Sequence, residues 1–348
     1  LNPGKALPGP EAEWAPVPPP PQAVSFAWED LTVTVPAGAA LGDVQAAALA
    51  RGFWIPIGGV RRAAPEGPGL GALPDAATMV DALLAGPALG GGGTLRDAVL
   101  EVWAEDGRGR LFHAGAPVFK NVAGYDLPHL LVGAGGVLAR LRAVTCKLAP
   151  CPEHLAWWGF AGAVAAAWPS LGRVLAGPGG ATGATAVGDE QDDRLWVLAP
   201  GRDRDWDLDT WGPRIEAAAG AAGLTTVDRG RAPFARAAEV VADVLPSWAV
   251  AGPDWTVVSG ADGGPCAPPF PGRRWIWQGR PRLLWLPEAA AASPGRHTDT
   301  VWRDGRPTPL PEPPPEVPRH LLRRLKTLFD PDATLPCPAW LAAPGDRP

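Results

Sequence analysis

The sequence predicts an α+β chain with two domains and a closing C-terminal helix. Three observations carry that prediction. The run LTVTV at 31–35 alternates as a half-buried strand does, and an Ala-rich helical stretch follows it over 41–51. The pattern changes at Pro150, and from His154 onward the order reads strand, helix, strand, strand, helix, most of a ferredoxin-like unit. With 348 residues and 46% hydrophobic side chains, the chain exceeds one ordinary core and can fill two.

Taken in order, residues 1–30 (LNPGKALPGPEAEWAPVPPPPQ and on) read as a proline-rich arm without the features of a secretory signal. Pro36-Ala37-Gly38 turns the strand at 31–35 into the helix, and Gly52 marks that helix's end. A loop, RRAAPEGPGLGALPD, leads to a short apolar helix over 77–84 and then to four glycines, Gly90–Gly93. Strands at 99–104 and 110–113 flank EDGRG as a hairpin. HLLVGAGGVLARLRAVTCKLAP then gives a short helix, a glycine turn and a strand ending at Pro150.

Beyond Pro150 come the strand HLAWWGF, a helix over 164–175, the strands ATAVGDE and RLWVLAP, and a helix over 210–222. Further strands fall at WTVVSG, RWIWQG and RLLWLP. The connector PLPEPPPEVP introduces a last helix, His320–Phe329. The expected organisation is an arm (1–30), a first domain (31–150), an α+β second domain (151–310), and a connector, helix and tail (311–348).

Several function classes are disfavoured. The formal charge is -5 with scattered Lys and Arg, so no basic face for nucleic acid is indicated. No apolar run is long enough to span a bilayer, and a cytoplasmic setting is expected. The four cysteines form no C-x-x-C pair, and the five histidines show no H-x-x-H or H-E-x-x-H spacing, so no metal site is assigned. His129 reads as a helix-surface residue, and DEQDD at 189–193 as a solvated loop. No catalytic residue is assigned. Tryptophans concentrate after position 150, as core filling or as an interface belt; Trp275 and Trp277 alternate onto one strand face.

The informative features are three glycine-bearing clusters: Gly90–Gly93, KNVAGYD at 120–126, and GAGGVL at 133–138. Glycine lets backbone approach a ligand closely, and consecutive amides can then face an anionic group. Neither G-x-x-x-x-G-K-[ST] nor a full G-x-G-x-x-G is present. Tyr125, the sole tyrosine, sits inside the second cluster.

Order and spacing add a resemblance. Arg96-Asp97 with Leu100, then Gly107 and Gly109, then Lys120-Asn121-Val122-Ala123-Gly124-Tyr125-Asp126-Leu127, then Gly133, Gly136 and Leu138, then Lys147 and Pro150, follow one family pattern in frame. Region 94–150 thereby resembles the PCMH-type FAD-binding domain of the vanillyl-alcohol-oxidase superfamily, and most of all the E subunits of bacterial glycolate oxidases. LLRRLKTLFDP is similar to that family's closing helix and F-D-P turn.

The resemblance implies FAD held between two lobes. Lys120, Asn121, Val122, Gly124, Tyr125, Asp126, Gly133, Gly136 and Leu138 are its implied cofactor-binding residues. Among them, Gly124, Gly133 and Gly136 would offer main-chain donors, and Tyr125 an aromatic ring. Two other roles are open: Tyr125 as a core filler with its hydroxyl on backbone, and Lys120–Asp126 as a local ion pair shaping the loop. The second domain would be the cap. The implied partners are a homologous flavoprotein subunit, an iron–sulfur subunit and a small 2-hydroxy acid substrate.

Three departures stand against the match. The family's glycine-rich pyrophosphate loop has no counterpart among the 30 residues before Leu31. Its A-T-x-G-G becomes Ala77-Thr78-Met79-Val80-Asp81, which sets bulk and negative charge where bare backbone would meet phosphate. The serine and last glycine of G-S-x-G-x-L-G become Ala134 and Ala139. Two functions therefore follow: an FAD-binding subunit of a glycolate oxidase-like complex, or a flavin-free, degenerate homologue serving as its assembly subunit.

Overall fold

The computed structural model describes residues 17–55, 98–119, 126–132, 134–176, 185–189, 193–201, 206–234, 255–259, 274–278, 283–287, 298–303, 306–308, 319–337 and 341. Two large sheets organise them. The first has the order β1-β2-β6-β4-β5: β1 is Ser25–Ala27, β2 Thr32–Pro36, β4 Val99–Glu105, β5 Leu111–Gly115 and β6 Arg140–Lys147. The expected strand at 31–35 and the hairpin around EDGRG are both present. The hairpin turns at Gly109, whose φ of +76° few side chains tolerate. The end of the expected arm is not free: Ser25–Ala27 pairs with β2.

Helix α1 (Leu41–Leu49) crosses between β2 and the short strand β3 (Phe53–Trp54), which pairs with β7 (Ala149–Pro150). Gly52, at φ +77°, ends the helical course as its position predicts. The Gln45 side chain then fixes the exit, donating to Ile55 O and accepting from Ile55 N. Helix α2 (Leu127–Leu131) precedes β6.

The two faces of the first sheet differ because side chains alternate along each strand. Val33, Val35, Val102, Ala104, Val144 and Cys146 face one buried core. Glu101, His113, Thr145 and Thr34 face the other way and join in one hydrogen-bonded chain.

The second sheet has nine strands, in the order β11-β8-β10-β9-β13-β14-β12-β15-β16. Its first part is β8 (His154–Ala161), α3 (Val164–Ala176), β9 (Thr185–Asp189), β10 (Arg194–Gly201), α4 (Trp206–Ala221) and β11 (Thr225–Pro233). Every pairing among these four strands is antiparallel, in the spatial order fourth, first, third, second. That completes the ferredoxin-like unit, with β11 as a closing strand that the sequence pattern did not reveal. Its side chains are mostly exposed, so it lacks the alternation of a half-buried strand.

The sheet continues through β12 (Trp255–Ser259), β13 (Arg274–Gln278), β14 (Leu283–Pro287), β15 (Thr298–Arg303) and β16 (Arg306–Thr308). β13 lies between β9 and β14, paired on both edges. The face carrying Trp275 and Trp277 lies outside the described side chains.

Alternation also sorts the second sheet. Ala156, Trp158, Phe160, Leu195 and Val197 point toward α3 and α4, meeting Trp168, Leu171, Trp211 and Ile215. On α3 the buried positions 164, 167, 168, 171 and 175 make one apolar stripe. Leu155, Trp157, Trp196 and Leu198 point the other way and join the core of the first sheet, where Phe234 meets Trp54 edge-on at 5.6 Å. Trp157 and Trp196 lie across Gly230 and Gly159, their cross-strand neighbours: a Cβ on either glycine would fall within 2.6 Å of the ring.

Helix α5 (Arg319–Phe329) returns to the first sheet, with Leu325 and Phe329 against its core. No helix among the described residues is long and apolar enough to cross a membrane.

Candidate functional site

Of the nine residues read as cofactor-binding, Lys120, Asn121, Val122, Gly124, Tyr125 and Gly133 lie outside the described residues, as do Gly90–Gly93 and 77–84. Asp126, Gly136 and Leu138 are described. Asp126 is the N-cap of α2: its carboxylate accepts the His129 backbone N–H and bonds the His129 ring Nδ1. This is the ordinary N-cap chemistry of aspartate, and Pro128 early in the first turn suits it. The pairing seen for Asp126 is thus with His129, which sits at the helix surface as its position implied.

The glycine turn follows α2. Val137 N donates to Ala134 O at 3.1 Å, closing a four-residue turn around Gly135 and Gly136. Their φ values are +60° and +77°. Two consecutive positive values are the signature of a type I′ turn, and they explain the Gly-Gly pair. Neither Gly135 N nor Gly136 N donates to a described residue, whereas Ala134 N is held by Leu131 O. A Cβ built on Gly135 would meet nothing within 4 Å, so the turn stands open beside that residue. Leu138, only 6% exposed, packs into the core, so its main chain is what it can offer a ligand.

Sequence reasoning missed Gly135, which occupies the variable position of the family pattern. The Gly-Gly dipeptide was the available signal, because it demands left-handed backbone at both positions.

The turn is braced from behind by the C-terminal segment. Lys326 Nζ donates to Val137 O at 2.9 Å, Leu335 O at 3.2 Å and Pro336 O at 3.1 Å, and pairs with Asp330 Oδ2 at 2.5 Å. Asp330 also accepts from Thr334 N and Leu335 N. Burial by itself would raise the Asp330 carboxyl pKa; the Lys326 ammonium and the two amides outweigh it and hold the group below the usual carboxylate range. The Gly107 amide donates to Phe329 O, and Thr334 Oγ1 donates to Gly107 O. Hairpin turn, glycine turn and F-D-P turn therefore form one hydrogen-bonded unit.

Several other ionisable side chains among the described residues are paired or buried. His113 Nε2 bonds Glu101 Oε1 at 2.6 Å, and Glu101 Oε2 accepts from Thr145. His154 is buried at the start of β8, and His320 is exposed. Burial pushes the Cys146 thiol up to about 12 and Cys151 to about 11, so neither is a ready nucleophile.

Structural comparison decides the fold. BBE-like 1 of Physcomitrella patens superposes with a TM-score of 0.62 at 13% identity, over 92% of this chain and 79% of that one. Acremonium strictum glucooligosaccharide oxidase gives 0.58 at 12%, over 92% and 79%. A VAO-type flavoprotein of Myceliophthora thermophila gives 0.55 at 17%, over 87% and 66%. This chain has the VAO-type flavoprotein fold.

No family model matches the sequence. The sequence is 34% identical over 130 residues to glycolate oxidase subunit GlcE of Escherichia coli K12, a match covering 37% of this chain and 35% of GlcE. It is 43% identical over 58 residues to D-lactate dehydrogenase of Archaeoglobus fulgidus, covering 17% of this chain and 13% of that enzyme. The matches thus span well under two thirds of either curated relative.

At the turn 134–137 the space beside Gly135 is open, the Gly135 and Gly136 amides donate to no described residue, and Lys326 holds Val137 O from behind, features that suit close approach of an anionic or dinucleotide ligand. The residues present at the turn fit FAD.

Proposed function

We propose that this chain is the FAD-binding subunit of a glycolate oxidase-like complex that oxidises a 2-hydroxy acid. The carrying observation is the open type I′ turn at Gly135-Gly136, whose amides have no acceptor among the described residues. The likeness to GlcE and to a D-lactate dehydrogenase supports the substrate class. KNVAGYDL, immediately upstream, supports the cofactor.

FAD, when bound, supplies the hydride acceptor for oxidation at the substrate's hydroxyl-bearing carbon. The chain's own part is to hold and shield it. Gly135 and Gly136 offer two main-chain donors from a turn that need not reorganise, which lowers the entropy lost on binding. Asp126 and His129 fix the start of α2, and with it the approach of the chain to the turn. Leu155, Trp157, Trp196 and Leu198 close the second sheet onto the first domain and exclude water between them. A homologous flavoprotein subunit and an iron–sulfur subunit are the proposed partners, and the cytoplasm the proposed compartment.

The second reading, a flavin-free assembly subunit, is favoured by Val80-Asp81 in place of two glycines. One experiment separates the two. The purified protein is scanned in the visible range, its released flavin quantified, and the stripped protein titrated with FAD. Yellow protein with stoichiometric flavin, or saturable uptake, supports the first reading. Colourless protein that takes up no added FAD sinks it and leaves the second.

A further inference from the structure

We infer that Lys326 is a positioning residue for the flavin turn, acting through the Val137 carbonyl; the inference rests on the reading that this turn borders FAD. An ammonium has three protons to donate and no acceptor. Lys326 faces four acceptors at 2.5–3.2 Å, and the residue is only 7% exposed. Three of those acceptors belong to the C-terminal turn, Asp330, Leu335 and Pro336. The fourth, Val137 O, belongs to the glycine turn, 189 positions away in sequence.

The chemistry of the neighbours makes this connection rigid. Asp330 Oδ1 takes Thr334 N at 2.8 Å, and Oδ2 takes Leu335 N at 2.9 Å, so the carboxylate cannot rotate without breaking both. Phe329 O receives Gly107 N at 2.8 Å, anchoring the same turn to the β4–β5 hairpin. The glycine turn lacks such restraint of its own. Its two central residues carry no side chains, and among the described residues its closure is the single Ala134–Val137 bond. A loop of that kind pays the most conformational entropy on ordering. Lys326 supplies the order from outside, at the exit residue, leaving the Gly135 and Gly136 amides unoccupied. Binding at the turn and order in the C-terminal segment are then reciprocally coupled.

The test compares full-length wild type with Lys326→Met, Lys326→Arg and, as a matched loss of stability in the second domain, Leu171→Ala. Hydrogen–deuterium exchange is measured on flavin-free protein, and FAD affinity by titration with flavin fluorescence. Lys326→Met is expected to speed exchange at the Val137 amide, the donor that closes the turn, and to weaken FAD by at least about tenfold each, the size of one lost charge-assisted hydrogen bond. Exchange in β8–β10 should stay unchanged. Lys326→Arg should recover part of both, and Leu171→Ala should lower the melting temperature without moving either.

Wild-type exchange at the Val137 amide in Lys326→Met, or acceleration spread evenly over the first sheet, overturns the inference. So does unchanged FAD affinity when wild type binds FAD. If wild type takes up no FAD, the flavin reading falls and the exchange data alone decide the clamp. Should Lys326→Met not fold, Lys326→Gln replaces it, with the same directions expected.

Discussion

A Cβ placed on Gly107 would lie 2.0 Å from Asp330 Oδ1 and 2.8 Å from Asp330 Cα. The hairpin turn and the C-terminal turn meet where only a hydrogen atom fits. Gly107→Ala should therefore force the two turns apart, loosening the Gly107–Phe329 and Thr334–Gly107 bonds together. Overpacking of this kind costs roughly 1–3 kcal/mol or more. Urea unfolding should show a lower midpoint with unchanged slope. An unchanged midpoint would mean that the contact carries no stability.

Acid sensitivity should trace to Asp330 and Asp106. Burial acts to raise the Asp106 carboxyl, but the Arg110 amide and guanidinium and the Arg108 amide outweigh it, and its pKa is lowered. The Asp330 pKa is lowered as well. A carboxyl with a depressed folded pKa adds stability that is fully present above its unfolded pKa and is lost as pH falls through the folded one. Wild type should thus exceed D330N and D106N by a constant margin above about pH 5, and the margin should shrink below about pH 4. A margin that stays flat down to pH 2 would contradict the assignment.

The glycine turn can be probed residue by residue. Gly135 has open space for a Cβ but a φ of +60°, so Gly135→Ala should cost only about 1–2 kcal/mol of folding stability. Its effect on FAD should be larger in proportion, because the methyl group enters the space proposed for the ligand. Melting temperature and FAD titration, run on the same preparation, check the ratio. Loss of stability with full retention of affinity would place the cofactor elsewhere.

Trp168 is fully buried between α3 and the ferredoxin-like sheet, against residues such as Phe160 and Leu171. Trp168→Ala should cost on the order of 3–5 kcal/mol, the range for a large aromatic removed from a core. Near-ultraviolet circular dichroism and thermal unfolding would register it. A drop below about 1 kcal/mol would show that α3 collapses into the space without strain.

Much of this architecture was legible because local chemistry and burial agree in it. LTVTV, EDGRG, the Gly52 stop and the apolar stripe of α3 each bury or turn where their pattern says. Strand β11 was not legible: it caps the sheet with TTVDRGRAP, whose exposed side chains leave no periodicity to read. β15 and β16 were missed as well, since short polar strands such as RPT gain their shape from a neighbour. At the site, Asp126 and Gly136 were singled out through the family resemblance, whereas the N-cap role of Asp126 emerged only with α2. Gly135 was hidden in a variable motif position, and nothing in LLRRLKTLFDP sets Lys326 apart from Arg323 and Arg324; its burial depends on Asp330 and on carbonyls contributed by Val137, Leu335 and Pro336.

The first sheet is stapled by residues far downstream: Thr334 and Gly107, which bond directly, are 227 positions apart. On a ribosome, β8 through β11 emerge complete while the amino-terminal unit still lacks its staple. The expected order is then the ferredoxin-like unit first, with the glycine turn ordered only once residues 326–336 have emerged. Limited proteolysis of arrested chains ending before and after residue 336 would reveal it as protection of 98–150 that appears only in the longer ones.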